Sequence, residues 1–296
     1  MIYKYRIYGF VMGLPFPCPM LSEVPEESTV DVPVTEGPVG QPLDFPIAEG
    51  LNWQAAPGRF LFYGGRRAGR FLVENGNRIT LERNPNAEDK VICAYLLSTV
   101  LAALLRQRGL LVLHANVIIT LRGAVAISGE SGSGKSTTQA ALLGQGCRML
   151  ADDLAVLQLG EGGAVVALPG MPKLNLCEDA AVRLGHNLNT LHRNPLRRIK
   201  VVVPIAPADM TSAPVPLKAV YLLERYHGAA LKQEALGSAH KFAALQECLY
   251  GPLFPEEHTG IFTTVAQLAS QVDMIRLRRP AKGWSVNEVM EAILNG

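Results

Sequence analysis

Gly123-Ala124-Val125-Ala126-Ile127-Ser128-Gly129-Glu130-Ser131-Gly132-Ser133-Gly134-Lys135-Ser136 is the stretch on which the fold turns. A β-favouring apolar run gives way to alternating glycines and then to helix-forming residues, and Gly129 to Ser136 matches G-x-x-x-x-G-K-[ST] between that strand and that helix. Glycines let successive backbone N–H groups point into one concavity, and the helix that follows adds its positive end, so the loop can cradle phosphate oxygens. Lys135 is then expected to reach the β and γ phosphates and the Ser136 hydroxyl to ligate Mg²⁺. Gly129, Glu130, Ser131, Gly132, Ser133, Gly134, Lys135, Ser136 and Thr137 form the expected nucleotide-binding stretch, with ATP and Mg²⁺ as its ligands. A flexible Gly/Ser linker is the plain alternative, but it gives the Lys-Ser tail no role.

Working outwards, strands are expected at Leu110 to Ile119 and Gly123 to Ser128. Others are expected near Arg148 to Ala151, Ala155 to Leu159, Ala164 to Leu168, Ile199 to Val203, Leu217 to Leu223 and Met274 to Leu277. Helices are expected at Lys135 to Leu143, Glu178 to Leu184, Ala239 to Leu249, Gly260 to Gln271 and Val286 to Leu294. Strands interleaved with helices indicate an α/β core, a central sheet flanked by helices. Upstream, Ala87 to Gln107 carries no Gly or Pro, opens with Glu88 and Asp89, and is followed by Gly109, which suits a buried helix with a glycine C-cap.

Nine of the twenty prolines fall between residues 15 and 57, so loops and short edge strands are expected there. From Arg59 to Glu82, apolar runs alternate with turns, and Asn75-Gly76 signals a hairpin because both residues tolerate positive φ. The expected organisation is a β-rich N-terminal region, 1–86, and a catalytic domain, 87–296.

The chain has 296 residues, 48% hydrophobic and 18% charged, with a net charge of +2. That composition argues against disorder and against non-specific nucleic-acid binding. Cys18, Cys93, Cys147, Cys177 and Cys248 show no zinc spacing, and the longest apolar stretch, Val91 to Leu105, is too short to cross a bilayer. No cleavable leader is evident, so a cytoplasmic protein with no membrane or nucleic-acid partner is expected.

Asp152-Asp153 follows Lys135 by only seventeen residues, at the end of Met149-Leu150-Ala151. A strand end beside the phosphate loop could offer one carboxylate to a nucleophile and the other to a metal, since adjacent carboxylates facing phosphates need a cation or a shared proton. Two solvated aspartates in a turn are the alternative.

Gly123 to Ser136, followed by Gly146-Cys147-Arg148-Met149-Leu150-Ala151-Asp152-Asp153, resembles the HPr kinase/phosphorylase family, whose members phosphorylate a protein serine. The resemblance covers roughly residues 110 to 225 and implies a P-loop kinase core of that type. It also implies that Asp152 accepts the serine proton, that Asp153 supports Mg²⁺ or the acceptor, and that His114, in Leu113-His114-Ala115, lines the same pocket. Without the resemblance, His114 reads as a core histidine. The glycine-rich signature used for phosphorolysis is missing, and Pro169-Gly170-Met171-Pro172-Lys173-Leu174-Asn175-Leu176 stands in its place. The whole layout is more similar to the HPr-kinase homologues of lasso-peptide biosynthesis, which implies a precursor peptide phosphorylated on its C-terminal serine.

Between Ala180 and Ala208 there is no acidic residue. Arg197, Arg198 and Lys200, beside the strand near Ile199, are candidate phosphate or substrate contacts, and Lys173 is another; a solvated basic loop is the alternative. Val220-Tyr221-Leu222-Leu223-Glu224 raises the rival of an ATP-hydrolysing enzyme in which Glu224 poises water. The C-terminal helical positions Phe242, Leu245, Leu249, Phe262, Val265 and Leu268 read as core or subunit contact, which leaves room for a homo-oligomer. The leading expectation is a serine kinase acting on a peptide, with HPr or another small protein, a small-molecule acceptor, and a nucleotide-binding regulator or ATPase as alternatives.

Overall fold

The computed structural model describes residues 1–40, 42–251 and 258–296 of a mixed α/β chain. It divides into two compact units, Met1–Val112 with Tyr250–Phe262, and Leu113–Leu249 with Thr263–Gly296.

The first unit is built on β1 (Tyr3–Ile7), β2 (Phe10–Leu14), β3 (Ser22–Glu23), β4 (Val32–Glu36), β5 (Ala48–Gly50), β6 (Trp53–Ala56), β7 (Arg59–Gly65), β8 (Gly69–Glu74) and β9 (Arg78–Arg83). They form one sheet in the order β3-β1-β2-β4-β9-β8-β7-β6-β5. The Asn75-Gly76 turn joins β8 to β9 with both residues at positive φ, 49° and 63°, as the hairpin requires. Phe71 and Val73 of β8 and Ile79 and Leu81 of β9 are fully buried, the period-two pattern of a strand with one face in a core.

Proline did not confine the 15–57 segment to sheet edges. β4 lies between β2 and β9, and Pro33 is tolerated because the strand changes neighbour around it: Val32 and Pro33 pair with β2, whereas Val34 to Glu36 pair with β9. The missing N–H therefore falls where the ladder passes from one side to the other. The helical run after β9 comprises α1 (Asp89–Tyr95), a π-helical turn (Leu96–Val100) and α2 (Leu101–Gln107). Ser98 Oγ donates to the Ala94 carbonyl at 2.7 Å beside the widened turn. Leu96, Leu101, Leu104 and Leu105 are completely buried, each adding roughly 2 kcal/mol of apolar burial, and Gly109 ends the run at φ 74°.

The expected strand Leu110 to Ile119 is two strands, β10 (Leu111–Leu113) and β11 (Ala115–Thr120). The break has an identifiable cause: the His114 N–H donates to the Cys248 carbonyl at 2.8 Å instead of joining the ladder.

The second unit continues with β12 (Gly123–Ser128), α3 (Lys135–Gly144), β13 (Arg148–Ala151), β14 (Ala155–Leu159), β15 (Val165–Ala167), β16 (Lys173–Cys177), α4 (Glu178–Arg183), β17 (His192–Arg193) and β18 (Lys200–Pro204). It closes with β19 (Val215–Tyr226), β20 (Lys232–Ala235), α5 (Ser238–Glu247), α6 (His258–Gln271, of which the residues up to Phe262 belong to the first unit), β21 (Asp273–Pro280) and α7 (Val286–Asn295). The main sheet runs β14-β15-β19-β12-β11-β13, with β21 on β19 and β20 on β21; β16-β18-β17 form a separate sheet. β12, β19 and β21 are mutually parallel, and β11 is antiparallel to both β12 and β13. Ile118, Val125, Ile127, Tyr221, Leu223 and Leu277 form a core with Leu142 of α3 and with Val289 and Ile293 of α7. Among the described residues, no helix is long and apolar enough to cross a membrane.

Candidate functional site

The strand directions bring the expected residues to one end of the second unit's sheet. Ala115, the first residue of β11, pairs with Ser128, the last of β12, and Val117 pairs with Ala151, the last of β13. His114 entering β11, the glycine loop leaving β12 and Asp152-Asp153 leaving β13 therefore meet at the same edge. In the loop, Gly129, Gly132 and Gly134 adopt φ of 138°, 82° and 112°. At Gly129 a Cβ would stand 2.2 Å from the Leu223 carbonyl oxygen of neighbouring β19, so only glycine fits.

Lys135 opens α3 and folds its ammonium back over the loop, donating to the carbonyls of Gly129 at 2.6 Å and Glu130 at 3.2 Å. Burial lowers its pKa, an effect that Asp153 opposes and that Lys200 and Arg197 reinforce. Arg279 of β21 donates through Nε to the Ser133 carbonyl at 2.6 Å, pinning the far side of the loop.

The two aspartates occupy different environments. Asp152 is buried, 5% exposed. Its Oδ1 accepts from Asn116 Nδ2 at 2.8 Å, and its Oδ2 accepts from the Asn175 backbone N–H at 2.8 Å and from Asn175 Nδ2 at 2.9 Å. Burial, reinforced by the neighbouring Asp153 charge, raises its pKa to about 6 against those hydrogen bonds. Asp153 is half-exposed, at the positive φ of 68° that non-glycine residues adopt mainly in turns and functional sites. Its Oδ1 lies 3.1 Å from His114 Nε2. Burial would raise the Asp153 pKa, but the His114 hydrogen bond and charge, with Lys200 and Arg197 behind them, outweigh it and hold the carboxyl at about 2.

A chain of amides extends from Asp152 in both directions. Asn116 Nδ2 also donates to Gln139 Oε1 at 2.7 Å, and Gln139 Nε2 donates to the carbonyls of Val117 and Ala151. On the other side, Asn175 Oδ1 accepts from Asn194 Nδ2 at 2.7 Å, and Asn194 Oδ1 accepts from the backbone N–H groups of Leu196 and Arg197 at 2.9 and 3.0 Å. The buried carboxylate is thus tied to the base of the cationic loop.

A cavity of about 310 Å³ opens over these elements. Of the residues singled out in the sequence, His114, Ser131, Gly132, Gly134, Lys135, Ser136, Thr137, Asp153, Arg197 and Lys200 line it. Gly129, Glu130 and Ser133 complete the loop without lining the cavity, and the buried Asp152 does not line it either. Arg198 and Lys173 are not among the lining residues. Glu224 is held by Arg276 at 2.9 Å and Arg278 at 3.4 Å, away from the cavity lining.

Sequence reasoning passed over Asn116, Gln139, Asn175, Asn194, Arg279 and Trp284. The available signal was an amide inside apolar strand sequence, Ala115-Asn116-Val117 and Leu174-Asn175-Leu176, because a polar group in a buried run must find partners.

Among solved structures the chain is similar to the Hpr(Ser) kinase/phosphatase from Coxiella burnetii, at 12% identity and a TM-score of 0.30, over 62% of this chain and 91% of that one. No protein-family profile and no curated protein matches the chain.

Proposed function

We propose that the second unit is an ATP- and Mg²⁺-dependent serine kinase whose acceptor is a peptide, in the first instance the C-terminal serine of a lasso-peptide precursor. The observation that carries this reading is the meeting, at one sheet end, of the glycine loop with Lys135, the Asp153–His114 pair and the cationic Arg197 and Lys200 around a single cavity. The acceptor class rests on the sequence resemblance to the HPr-kinase homologues.

In this reading the loop amides from Gly129 to Gly134 hold the phosphates, and the Lys135 ammonium leaves the loop carbonyls to meet them. Ser136 and Asp153 offer a hydroxyl and a carboxylate, the hard oxygen donors that suit Mg²⁺; the ion takes few protein ligands and keeps several waters. Among the described residues no group of three or more His, Cys, Asp or Glu side chains could hold a metal, so phosphate and water would supply the remaining ligands. Bound Mg²⁺ would neutralise charge on the transferred group.

Asp152 is the proposed proton acceptor, and Asp153 the proposed metal ligand. Asp152 is the more basic carboxylate, but it is buried with both oxygens engaged. Asp153 reaches the cavity, oriented by His114. Arg197 and Lys200 would pair with the transferred phosphoryl group or with an acceptor carboxylate.

Intact-mass spectrometry tests the reading. A serine-terminated precursor peptide and HPr are each incubated with the protein, ATP and Mg²⁺, with Asp152→Asn and Asp153→Asn as controls. One phosphate added to the peptide alone, and lost in the variants, is the expected result. Transfer to HPr alone would replace the acceptor class. Binding of ATP with no transfer to either would turn the reading towards a regulator or a small-molecule kinase.

A further inference from the structure

We infer that the far wall of the cavity is a nucleobase subsite, in which Trp284 and Ser285 receive the purine of the bound nucleoside triphosphate. The inference rests on the nucleotide reading above and adds the part of the ligand that the glycine loop cannot recognise.

The topology supplies the place. β12, β19 and β21 are parallel, so the loop leaving β21 emerges at the same end of the sheet as the glycine loop leaving β12. Crevices beyond the carboxyl ends of parallel strands are where α/β sheets bind their ligands. The chain leaves β21 at Pro280, crosses Ala281 to Ser285 and enters α7, and Ala281, Gly283, Trp284, Ser285, Val286 and Val289 line the cavity that Lys135, Ser136 and Thr137 line from the phosphate side. One continuous space therefore runs from the phosphate loop to a wall containing an aromatic ring, two valines and a hydroxyl.

Arg183 of α4 also lines the cavity, but the indole, two valines and hydroxyl of this wall suit a base and not a phosphate. Trp284 is 39% exposed, although it is among the largest apolar side chains in the unit. The Arg183 guanidinium carbon stands 5.0 Å from its ring centre, which holds the indole in place from α4. An exposed indole so held is a platform on which any base can stack, and a two-ring purine covers more of it than a pyrimidine. Ser285 supplies the polar complement. It is 8% exposed, lines the cavity, and its Oγ has no hydrogen-bond partner among the described residues. A buried hydroxyl ordinarily has a partner, and a ring nitrogen or exocyclic amine of a purine would supply one here.

The test separates base from phosphate. Affinities for ATP, GTP, CTP and inorganic tripolyphosphate are measured by calorimetry on the full chain, with Trp284→Ala, Trp284→Phe and Ser285→Ala. Wild-type protein should bind a purine triphosphate more tightly than CTP and tripolyphosphate. Trp284→Ala should weaken purine nucleotide binding roughly tenfold or more while leaving tripolyphosphate unchanged, and Trp284→Phe should restore most of the loss. Ser285→Ala should narrow the preference for the favoured purine. Since the only other tryptophan is Trp53, emission of a Trp53→Phe protein should also change with the purine nucleotide and not with tripolyphosphate. Equal loss of ATP and tripolyphosphate, or no loss of either, in Trp284→Ala would overturn the subsite while leaving the phosphate loop standing. Failure of wild-type protein to bind ATP or tripolyphosphate would remove the nucleotide reading and the subsite together.

Discussion

In the first unit, although Arg106 is buried, several charged side chains close on one another at or near the surface: Arg70 with Glu82, Arg78 with Glu74, and Arg83 with both Glu36 and Asp89. In the second, the strand ends carry polar groups inwards, where Asp152 takes three hydrogen bonds from asparagines and Lys135 rests on loop carbonyls. Surface pairs of the first kind add at most about 1 kcal/mol each and leave nothing over for chemistry. Groups of the second kind are costly to bury and sit where a ligand can exchange partners with them, which is the arrangement expected of a working site. On the proposed reading, the contrast puts stability in one sheet and chemistry at the end of the other, and it can be broken.

The largest effect should come from Lys135→Ala, which removes the ammonium folded over the glycine loop. Phosphoryl transfer measured as kcat/KM should fall about 10²–10³-fold or more with little change in melting temperature. A modest loss would mean that Lys135 serves the loop's own carbonyls and nothing else.

A matched pair of glycine substitutions comes next. Gly129→Ala forces a methyl against the Leu223 carbonyl at a φ of 138° and should weaken ATP binding about 100-fold or more in calorimetry. Gly76→Ala is strained in the same sense, at φ 63° with a Cβ 2.8 Å from Arg108 Cγ, and should cost about 1–2 kcal/mol in denaturant unfolding. It should leave nucleotide affinity unchanged. Loss of ATP binding in Gly76→Ala would erase the distinction between the two units.

The Asp152 carboxyl gives the comparison a pH dependence. Its folded pKa, about 6, lies above the ordinary 3.8, so its contribution to stability is fully present below that ordinary value and is lost as pH rises through 6. Asp153 has the opposite sign: its contribution is present above the ordinary value and lost as pH falls through about 2. Asp152→Asn removes the first of these contributions. Wild-type stability relative to the variant should therefore fall by about 3 kcal/mol at most between pH 4 and pH 7. Parallel unfolding curves across that range would show that burial does not hold the proton on Asp152.

How much of this could be read beforehand follows from the range of the forces involved. Residues 123–136 declared a strand, a loop and a helix because each step is written in local residue types. The Asn75-Gly76 turn was legible for the same reason. β16 was missed because Pro169, Gly170 and Pro172 punctuate the sequence just before it, and its pairing with β18 is contact across distant sequence. His114 breaks its strand through a carbonyl 134 residues away, at Cys248. The amide chain through Asn116, Asn175 and Asn194 has no local pattern at all, since each partner lies on a different element.

Asn194 tests that chain with a smaller effect. Its side-chain oxygen fixes the N–H groups of Leu196 and Arg197, and its amide donates to Asn175. Asn194→Ala should loosen the cationic loop and raise the acceptor KM about tenfold while changing ATP affinity little. Asn194→Asp keeps the oxygen for the backbone but loses the donor to Asn175 Oδ1, so it should recover only part of the loss. An unchanged KM in both would separate the loop from the acceptor.

Glu224 should produce the smallest change, and its interest lies in that smallness. It closes the apolar run of β19, two residues before the end of that strand, which is parallel to β12, and a hydrolytic enzyme would poise a water against the γ-phosphate from such a position. Its two oxygens are instead taken by Arg276 and Arg278, which also reach Glu234. That is the surface pairing of the first unit repeated on the second unit's sheet, with Glu224 43% exposed. Glu224→Gln should keep the geometry, lose part of an exposed ion pair, cost less than about 1 kcal/mol in stability and change ATP turnover by no more than about twofold. A loss of 100-fold or more would mean that Glu224 swings from the arginines to the nucleotide when ATP binds. The second unit would then be an ATPase whose carboxylate base comes from β19, with the Asp152–Asp153 pair left to support the metal.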